Sequence, residues 1–205
     1  MNACETETVR MRPGAPDYAE WIERAGKMLR DGGLVAFPTE TVYGLAANAE
    51  RSDVLARLRE VKGRPEGKPF SFIVCERSEV ARRVGSVPPS ASALMDAFWP
   101  GPLTLVLRGD DSGTVGFRMP DEQIALDLIR AAGVRLVAPS ANSSGGPEPQ
   151  TARDVARDLA GRIELILDGG RTRMGQPSTV VLLENDTCRV LRAGAIEEDR
   201  IREAM

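Results

Sequence analysis

Apolar runs with two different periodicities alternate along this chain, and that alternation limits the fold more than any other feature of the sequence. Residues 17–30 carry apolar side chains at helical spacing and are followed by Gly32 and Gly33, which end a helix. Residues 34–37 then form a short apolar run typical of a buried strand. Repetition of this order predicts layers of helices packed on a sheet.

The same criteria assign the rest of the chain. Helices are predicted from a cap at Ser52 to Gly63, after Ser78, over 89–98, from a cap at Asp121 to Gly133, and over 151–159. Strands are predicted over 70–74, 103–107, 114–117, 135–139, 164–167, 178–183 and 188–191. Because strand–helix units and directly successive strands both occur, we expect an α/β fold with a twisted, mixed parallel and antiparallel sheet that its flanking helices cover unevenly.

Length and composition predict a single domain. A chain of 205 residues with 42% hydrophobic side chains can bury one well-packed core. We expect this core to span about 17–197, and residues 1–12 to form a flexible or loosely packed N-terminal segment. The sequence shows neither the basic and apolar regions of a signal peptide nor an apolar run long enough to span a membrane, so a cytoplasmic location is expected.

Scarce residue types exclude several kinds of chemistry. The chain contains no histidine, which excludes a Ser-His-Asp triad and removes the commonest general base and metal ligand. Its three cysteines, Cys4, Cys75 and Cys188, lie far apart, so neither a disulfide framework nor a zinc site is expected. The net charge of -3 offers no general attraction for nucleic acid or an anionic membrane. An anionic ligand must therefore be held by a local cluster of cations.

Polar side chains crowd the end of the predicted strand at 34–37. The segment FPTETVYGL places Thr39, Glu40, Thr41 and Tyr43 directly after that strand. Strand ends and their loops are the places where α/β folds bind ligands. Taken alone, however, Thr39 is better interpreted as the cap of a short helix that begins at Glu40.

Cations cluster where the second predicted helix ends. The segment VKGRPEGKPF combines Lys62, Arg64 and Lys68 with glycines and prolines. One such cation usually just complements the helix dipole, but three together predict a site for phosphate or carboxylate. Neither GxxxxGK[ST] nor GxG is present, so this is not a Walker A loop or a dinucleotide turn.

Small polar residues follow the predicted strand at 135–139, in the segment APSANSSGG. Ser140 and Asn142 are two apart, so in an extended segment their side chains share one face and can donate together to an anion. A serine nucleophile is disfavoured, because without histidine it needs a lysine base and no SxxK pairing occurs. Two further arginines, Arg118 in FRMP and Arg192 in VLRAGAI, also stand at strand ends.

Taken jointly, these segments resemble one protein family, the YrdC-like L-threonylcarbamoyladenylate synthases. The order and approximate spacing of that family are matched over roughly residues 20–197 by FPTETVYGL, KGRP, FWPGPLTLVL, FRMP, APSANSSG, STVV and VLRAGAI. The family signature, Lys-x-Arg followed by Ser-x-Asn, corresponds to Lys62, Arg64, Ser140 and Asn142. The chain resembles the short, single-domain form, which implies a YrdC-like fold with a concave ligand site.

The resemblance implies a nucleotidyltransferase. It would use L-threonine, bicarbonate or CO2, and ATP to form threonylcarbamoyl-AMP and pyrophosphate, for the threonylcarbamoyladenosine modification of tRNA next to the anticodon. Downstream tRNA threonylcarbamoyl transferase proteins would be partners, and any direct binding of tRNA is expected to be weak. ATP is a substrate, and Mg2+ is expected with it, held mainly by substrate oxygens and water rather than by protein ligands.

The resemblance also implies roles for individual residues. Those implied to line the threonine pocket are Thr39, Tyr43 and Arg118. Those implied to be catalytic and to contact the nucleotide are Lys62, Arg64, Ser140 and Asn142. Ser178 and Arg192 are implied to contact the nucleotide only.

Two departures from the family pattern and two alternative functions remain. Phe70 stands where leucine is common in the family, and Leu182 stands where aspartate is frequent. The same fold also occurs as an RNA-binding module and as a domain that handles carbamoyl-adenylate inside larger enzymes. RNA affinity that is insensitive to ATP and threonine would favour the first alternative, and use of carbamoyl phosphate would favour the second.

Overall fold

The computed structural model describes residues 5–109, 113–184 and 187–205, and within these ranges ten strands join in one sheet. The strands are β1 Glu7–Arg10, β2 Val35–Phe37, β3 Gly44–Asn48, β4 Phe72–Ile73, β5 Leu103–Arg108, β6 Thr114–Arg118, β7 Leu136–Val137, β8 Leu165–Asp168, β9 Thr179–Glu184 and β10 Thr187–Arg192. Their order across the sheet is β1-β8-β2-β3-β7-β4-β6-β5-β9-β10. Parallel pairs such as β5 and β9 stand beside antiparallel pairs such as β5 and β6, which confirms the predicted mixed sheet.

Seven helices flank this sheet in the described part of the chain. They are α1 Tyr18–Asp31, α2 Ser52–Lys62, α3 Ser78–Val84, α4 Pro89–Phe98, α5 Gln123–Ala132, α6 Ala152–Leu159 and α7 Glu198–Glu203. Helix α1 ends at Gly32, whose left-handed φ of 101° suits glycine. Helix α6 begins with a capping box between Thr151 and Asp154. No helix in the described ranges has the length and apolar character needed to cross a membrane.

The two caps predicted at Ser52 and Asp121 are wrong. Arg51 and Glu122 occupy the N-cap positions of α2 and α5, and neither makes a side-chain cap hydrogen bond. Both residues have the extended backbone that precedes a first helical turn. The helices themselves lie where the apolar periodicity places them, because their buried faces rather than their caps decide their positions.

The N-terminal segment differs from its predicted state. Residues 7–10, expected to be flexible or loosely packed, form β1 and pair in parallel with β8. Met11, which follows directly, is 4% exposed and belongs to the core around α1 and α5. The free edge of β8 gives this short segment its hydrogen-bond partners, and a sequence window cannot reveal that edge. Residues 1–4, including Cys4, lie outside the described residues, whereas Cys75 and Cys188 are both free thiols.

The sequence analysis also misses β3 and α7. Strand β3 has the sequence GLAAN, without β-branched or aromatic residues, yet all five of its residues are buried. It lies between β2 and β7 and pairs with both in antiparallel fashion. Tertiary pairing therefore overrides a weak local preference for strand.

The helices cover both faces of one half of the sheet and a single face of the other half. This agrees with the predicted uneven cover. Around β2, β3 and β8, the pair α1 and α5 packs on one face and the pair α2 and α6 on the opposite face. Around β5, β6 and β9, helices α3, α4 and α7 pack against alternate residues of the strands, including Leu103, Leu105 and Val181. Side chains alternate between the faces of a strand, so the intervening residues Thr104 and Val180 point to the opposite face.

Candidate active site

A cleft of about 330 Å³ lies on the face of β5, β6 and β9 that α3, α4 and α7 do not cover. We call this space the outer cleft. It continues into a smaller recess of about 30 Å³, the inner extension, which reaches the FPTETVYGL segment. Arg118 and Ser140 line both spaces and so stand where they join.

The nine residues that the resemblance implicates all come to this region, but not all of them line it. Those along the outer cleft are Arg64, Arg118, Ser140, Ser178 and Arg192. Those along the inner extension are Thr39, Tyr43, Arg118 and Ser140. Lys62 and Asn142 are buried next to Ser140 and hold its loop through hydrogen bonds.

Arg64 and Arg192 make the outer cleft cationic. Arg64 donates from Nη2 to the carbonyl of Pro69 at 2.9 Å, and its guanidinium lies 5.0 Å from the centre of the Phe70 ring. Arg192 donates from Nη2 to the carbonyl of Ser178 at 2.8 Å and to its hydroxyl at 3.1 Å. Burial lowers the pKa of both arginines; repulsion by Arg59 and Arg192 lowers that of Arg64 further, whereas the Glu148 carboxylate acts to raise that of Arg192. Repulsion between like charges across an open space favours an anion between them.

A hydroxyl that the sequence analysis misses completes this wall. Thr104 of β5 contacts Ser178 through their hydroxyl oxygens, 2.8 Å apart, and both residues are buried. Thr104 lies in LTLVL between leucines that face the opposite side of the sheet. The sequence did contain a signal for Thr104. Successive side chains of a strand point to opposite faces, so the single polar residue of an otherwise apolar strand is expected to face away from the core.

The signature residues Lys62, Ser140 and Asn142 form one buried hydrogen-bonded cluster. Lys62 is 2% exposed, and its Nζ donates to the carbonyl oxygens of Ser140 at 2.5 Å and Asn142 at 2.6 Å. Ser140 donates from its hydroxyl to Asn142 Oδ1 at 2.7 Å. Asn142 Nδ2 in turn donates to the carbonyls of Gly146 and Pro147. The side-chain donors of Ser140 and Asn142, predicted to point together at an anion, are thus engaged within the loop.

Burial changes the proton affinity of the lysine in this cluster. Desolvation, with a contribution from repulsion by Arg64, lowers the pKa of Lys62 to about 8. Two of the three N–H donors of its ammonium are taken by carbonyls, so one remains for a ligand or for water.

The hydroxyls of FPTETVYGL do not cap a helix, because residues 38–43 form none. Thr39 donates from Oγ1 to the carbonyl of Val42 at 2.6 Å, and Thr41 Oγ1 lies 2.9 Å from Thr39 Oγ1. Arg118 Nη2 donates to Thr41 Oγ1 at 2.7 Å and more weakly to Thr39 Oγ1 at 3.4 Å. Since the Thr39 proton is directed at Val42, Thr41 donates to Thr39. The two threonines therefore hold Arg118.

Tyr43 closes the far side of the inner extension. Its hydroxyl donates to the carbonyl of Gly170 at 2.7 Å and lies 3.4 Å from Asp168 Oδ1. Burial and the nearby Asp168 carboxylate raise the pKa of this phenol, so it stays protonated at neutral pH. Its ring, fully buried, offers an apolar wall to the recess.

Glu40 is the second functional candidate that the sequence analysis leaves without a role. Its carboxylate is buried, and Oε1 lies 2.9 Å from Arg118 Nη2. The angle is poor for a hydrogen bond, so within the described residues both carboxylate oxygens lack a hydrogen-bond partner. The pattern TET between a strand and a tyrosine is the only sequence signal for this residue.

The open mixed sheet with cations and hydroxyls gathered at its strand ends defines an α/β protein with a cationic cleft. Comparison with known proteins narrows this class. The sequence pattern of the Sua5/YciO/YrdC family, described as telomere recombination, matches residues 27–194, and the chain belongs to this family. The family predicted from the sequence motifs is therefore confirmed.

Curated relatives carry the name threonylcarbamoyl-AMP synthase. The chain is 44% identical to that of Bacillus subtilis (strain 168) over 190 residues, 88% of this chain and 55% of the relative. It is 42% identical to that of Pyrococcus abyssi over 196 residues, 91% of this chain and 58% of the relative. The chain thus spans little more than half the length of these two relatives. It is also 33% identical to the synthase of Halorhodospira halophila, covering 78% of this chain and 88% of that relative.

A solved structure shares the fold closely. The crystal structure of P. abyssi Sua5 complexed with L-threonine matches 98% of this chain and 60% of that chain, with a TM-score of 0.89 and 40% identity. The predicted YrdC-like fold is confirmed.

Proposed function

We propose that this chain catalyses the formation of threonylcarbamoyl-AMP and pyrophosphate from L-threonine, bicarbonate and ATP. The observation that carries the proposal is the junction at Arg118 and Ser140, where a cationic cleft meets a small, hydroxyl-lined recess. A reaction between an amino acid and a nucleotide needs such a meeting point. The name shared by the curated relatives supports the same reaction.

The outer cleft is the proposed site of the nucleotide phosphates. Arg64 and Arg192 supply fixed positive charge, and their partial burial strengthens each contact with a phosphate oxygen. The hydroxyl groups of Ser178 and Thr104 lie beside Arg192 and can accept or donate to ribose or phosphate. This assignment keeps the expected nucleotide-binding roles of Arg64, Ser178 and Arg192.

The inner extension is the proposed site of threonine. A small recess with an apolar ring from Tyr43 and the Thr39 hydroxyl in its lining suits a short, hydroxylated side chain. Arg118 at its mouth can bind the α-carboxylate. Complexation of the P. abyssi relative with L-threonine supports this choice of amino acid.

Lys62 and Asn142 have a proposed role beside Ser140 rather than across the cleft from it. Their hydrogen bonds fix the backbone of residues 140–142, and Lys62 keeps one N–H for a ligand oxygen. We propose that this cluster holds Ser140 at the junction and adds positive charge behind it. In this proposal the residues of the family signature stabilise the conformation of the loop and also contact the ligand.

The chemistry needs positioning more than acid or base catalysis. The threonine ammonium first loses a proton to water, and the neutral amine reacts with bicarbonate to give a carbamate and water. A carbamate oxygen then attacks the α-phosphorus of ATP, while the bond from that phosphorus to the oxygen that bridges to the β-phosphate breaks and pyrophosphate leaves. Cations and hydroxyls at the junction stabilise the negative charge that develops on the phosphate oxygens. A chain without histidine can therefore perform this reaction.

Magnesium fits this proposal only as a companion of ATP. The described ranges contain no group of three or more carboxylate, cysteine or histidine side chains that could hold a metal ion. Mg2+ readily takes phosphate oxygens and water as its ligands. The protein residues would then contribute cations and hydroxyls to the same phosphates.

Incubation of the purified chain with labelled ATP, bicarbonate and single amino acids tests the proposal. We expect an adenylate product and pyrophosphate with threonine, less product with serine and least with valine, and none without bicarbonate. Absence of an adenylate with every amino acid would contradict the proposal. Parallel reactions with carbamoyl phosphate, and RNA binding measured with and without ATP and threonine, test the two alternative functions of this fold.

A further inference from the structure

Glu40 is the most unusual charged group in the described part of the molecule. It is 1% exposed, its carboxylate oxygens have no hydrogen-bond partner in the ranges described, and its ion-pair contact is with Arg118. Removing a carboxylate from water without hydrogen bonds is costly, and one ion pair of poor geometry offsets that cost only in part. Such a group is expected to persist where its charge serves a ligand.

Arg118 is oriented by these contacts so that one edge stays available. Its Nη2 is directed at Thr41 and Glu40, and its Nε at the carbonyl of Gly101, 3.4 Å away. Nη1 makes no hydrogen bond with the residues that the structure describes. Because Arg118 lines both spaces, this edge is placed to meet a carboxylate at their junction.

We propose that Glu40 is the residue that makes the inner extension select a zwitterionic amino acid rather than a simple anion. The inference rests on the proposed threonine site. Arg118 binds the ligand carboxylate, and the Glu40 carboxylate behind it offsets the arginine charge and favours a positive group nearby. Glu40 therefore acts as a counter-charge and positioning residue, without touching the ligand.

Glu40 shares this region with the carboxylates of Glu122 and Asp168, but it is the one that pairs with Arg118. Arg173 is paired with Asp121 at 2.7 Å, and its charge also interacts with that of Glu40 at longer range. Burial raises the pKa of Glu122, and the charge of Glu40 raises it further. In contrast, the outer cleft holds Arg64 and Arg192, which repel each other. A small anion is drawn to that end, and an amino acid with its positive ammonium is drawn to the other.

The charge of Glu40 also affects where the carbamate lies within the cleft. Free threonine carries an ammonium group, which loses a proton to water before it reacts with bicarbonate, and the carbamate that forms is an anion. Glu40 repels that anion, while Arg64 and Arg192 attract it. Carboxylation would thus turn the new nucleophile away from the inner extension and toward the phosphates in the outer cleft.

Binding of two ligands to the wild type and to Glu40→Gln, measured by calorimetry without ATP, tests the proposal. The ligands are L-threonine and (R)-3-hydroxybutyrate, which has the same carboxylate and hydroxyl but no amine. Wild type is expected to prefer threonine by at least about tenfold, the size of an interaction between charges several ångströms apart in a protein. Glu40→Gln, which keeps the shape and an acceptor for Arg118, is expected to lose about tenfold of that preference.

The ratio of the two affinities separates this role from a structural one. Poor positioning of Arg118 weakens both ligands alike and leaves the ratio unchanged, whereas loss of the counter-charge changes the ratio. Glu40→Asp retains the charge and should keep the ratio within about threefold of wild type. Glu50→Gln removes an exposed carboxylate that is paired with Arg135 and serves as the matched control, with an unchanged ratio.

Each outcome bears on a different statement. A wild type that binds neither ligand contradicts the proposed threonine site itself. A wild type that binds threonine but prefers (R)-3-hydroxybutyrate, or binds the two equally, overturns the inference without any variant, even where Glu40→Gln does not fold. A Glu40→Gln ratio equal to that of wild type also overturns it, while leaving the proposed function in place.

Discussion

The two ends of the cleft use arginine in opposite ways. In the outer cleft, Arg64 and Arg192 are bound by carbonyl and hydroxyl oxygens, and their charges repel each other. At the inner extension, Arg118 lies against the buried carboxylate of Glu40 and the hydroxyl of Thr41. Among the described residues, neither outer arginine has a carboxylate within ion-pair distance, whereas the charge of Arg118 is partly offset by Glu40 and its orientation is set by Thr41.

The ligand that a site prefers therefore depends on whether its cations are paired with carboxylates, and not only on how many cations it has. Uncompensated arginines suit a polyanion such as a triphosphate, whose charge exceeds that of any one cation. An arginine paired with a carboxylate suits a zwitterionic ligand, which carries one negative and one positive group.

Removal of Arg118 should destabilise the fold more than removal of Arg192. Arg118→Ala leaves Glu40 as a buried, unpaired charge, at an expected cost of about 3 kcal/mol in the free energy of unfolding. Arg192→Ala removes hydrogen bonds to Ser178 without leaving a buried carboxylate unpaired, and should cost about 1 kcal/mol. Urea unfolding of both variants measures the difference. The double variant Glu40→Met with Arg118→Met should regain most of the stability, and equal losses in the two single variants would contradict the contrast.

Removal of Arg64 should affect activity rather than stability. Arg64→Ala is expected to slow threonine-dependent pyrophosphate release by about a hundredfold, because it removes a charge that stabilises the transition state. Arg64→Lys should also be impaired, since an ammonium cannot make a bidentate contact. Arg59→Ala, which removes the other arginine stacked on Phe70, is the matched control. Equal impairment in Arg59→Ala would show that Arg64 acts through packing.

Lys62 lies behind the point where the two ends meet, and its lowered pKa predicts a pH dependence of stability. The folded state holds the Lys62 proton less tightly than the unfolded state does, so the protein gains stability relative to Lys62→Met as pH rises above about 8. Between pH 8 and 10 the gain should be about 2 kcal/mol. Urea unfolding of both proteins across this range measures it. A constant difference between them would show that Lys62 is not desolvated.

Ser140 lines both the outer cleft and the inner extension. Its hydroxyl should therefore affect activity more than the other serine hydroxyls of the same loop. Ser140→Ala is expected to reduce pyrophosphate release by about tenfold, through loss of an oxygen at the junction and loosening of Asn142. Ser143→Ala, which removes a hydroxyl three residues further along, should stay within about twofold. Similar activity of the two variants would remove Ser140 from the site.

The smallest change in this series is expected for Phe70, whose ring lines the outer cleft. Phe70→Leu removes the ring on which Arg59 and Arg64 stack. We expect KM for ATP to rise about threefold with kcat unchanged, the size of an exposed cation–π contact. An unchanged KM would show that the carbonyl bonds of Arg64 suffice to orient it.

The sequence motifs locate the cleft well but describe its contacts only in part. Arg64, Arg118 and Arg192 were expected at an anion site, and all three line the cleft. The expected joint donation by Ser140 and Asn142 differs from what the structure has, because the Gly-Pro loop turns back and presents its own carbonyls to the amide. From the sequence, Glu40 was only one of four polar residues in its segment. Its neighbours along the chain give no sign that Arg118, 78 residues later, pairs with it.

Periodicity, glycine positions and motif spacing are local properties of the chain, so the helices, most strands, the family and the polar residues at strand ends could be predicted without a structure. The tertiary structure alone decided that β1 and β3 exist, which face of the sheet stays open, and which arginine receives a buried counter-charge. Those outcomes depend on partners distant in sequence. The burial and pairing of a charge are set by what surrounds it, and only the folded chain supplies those surroundings.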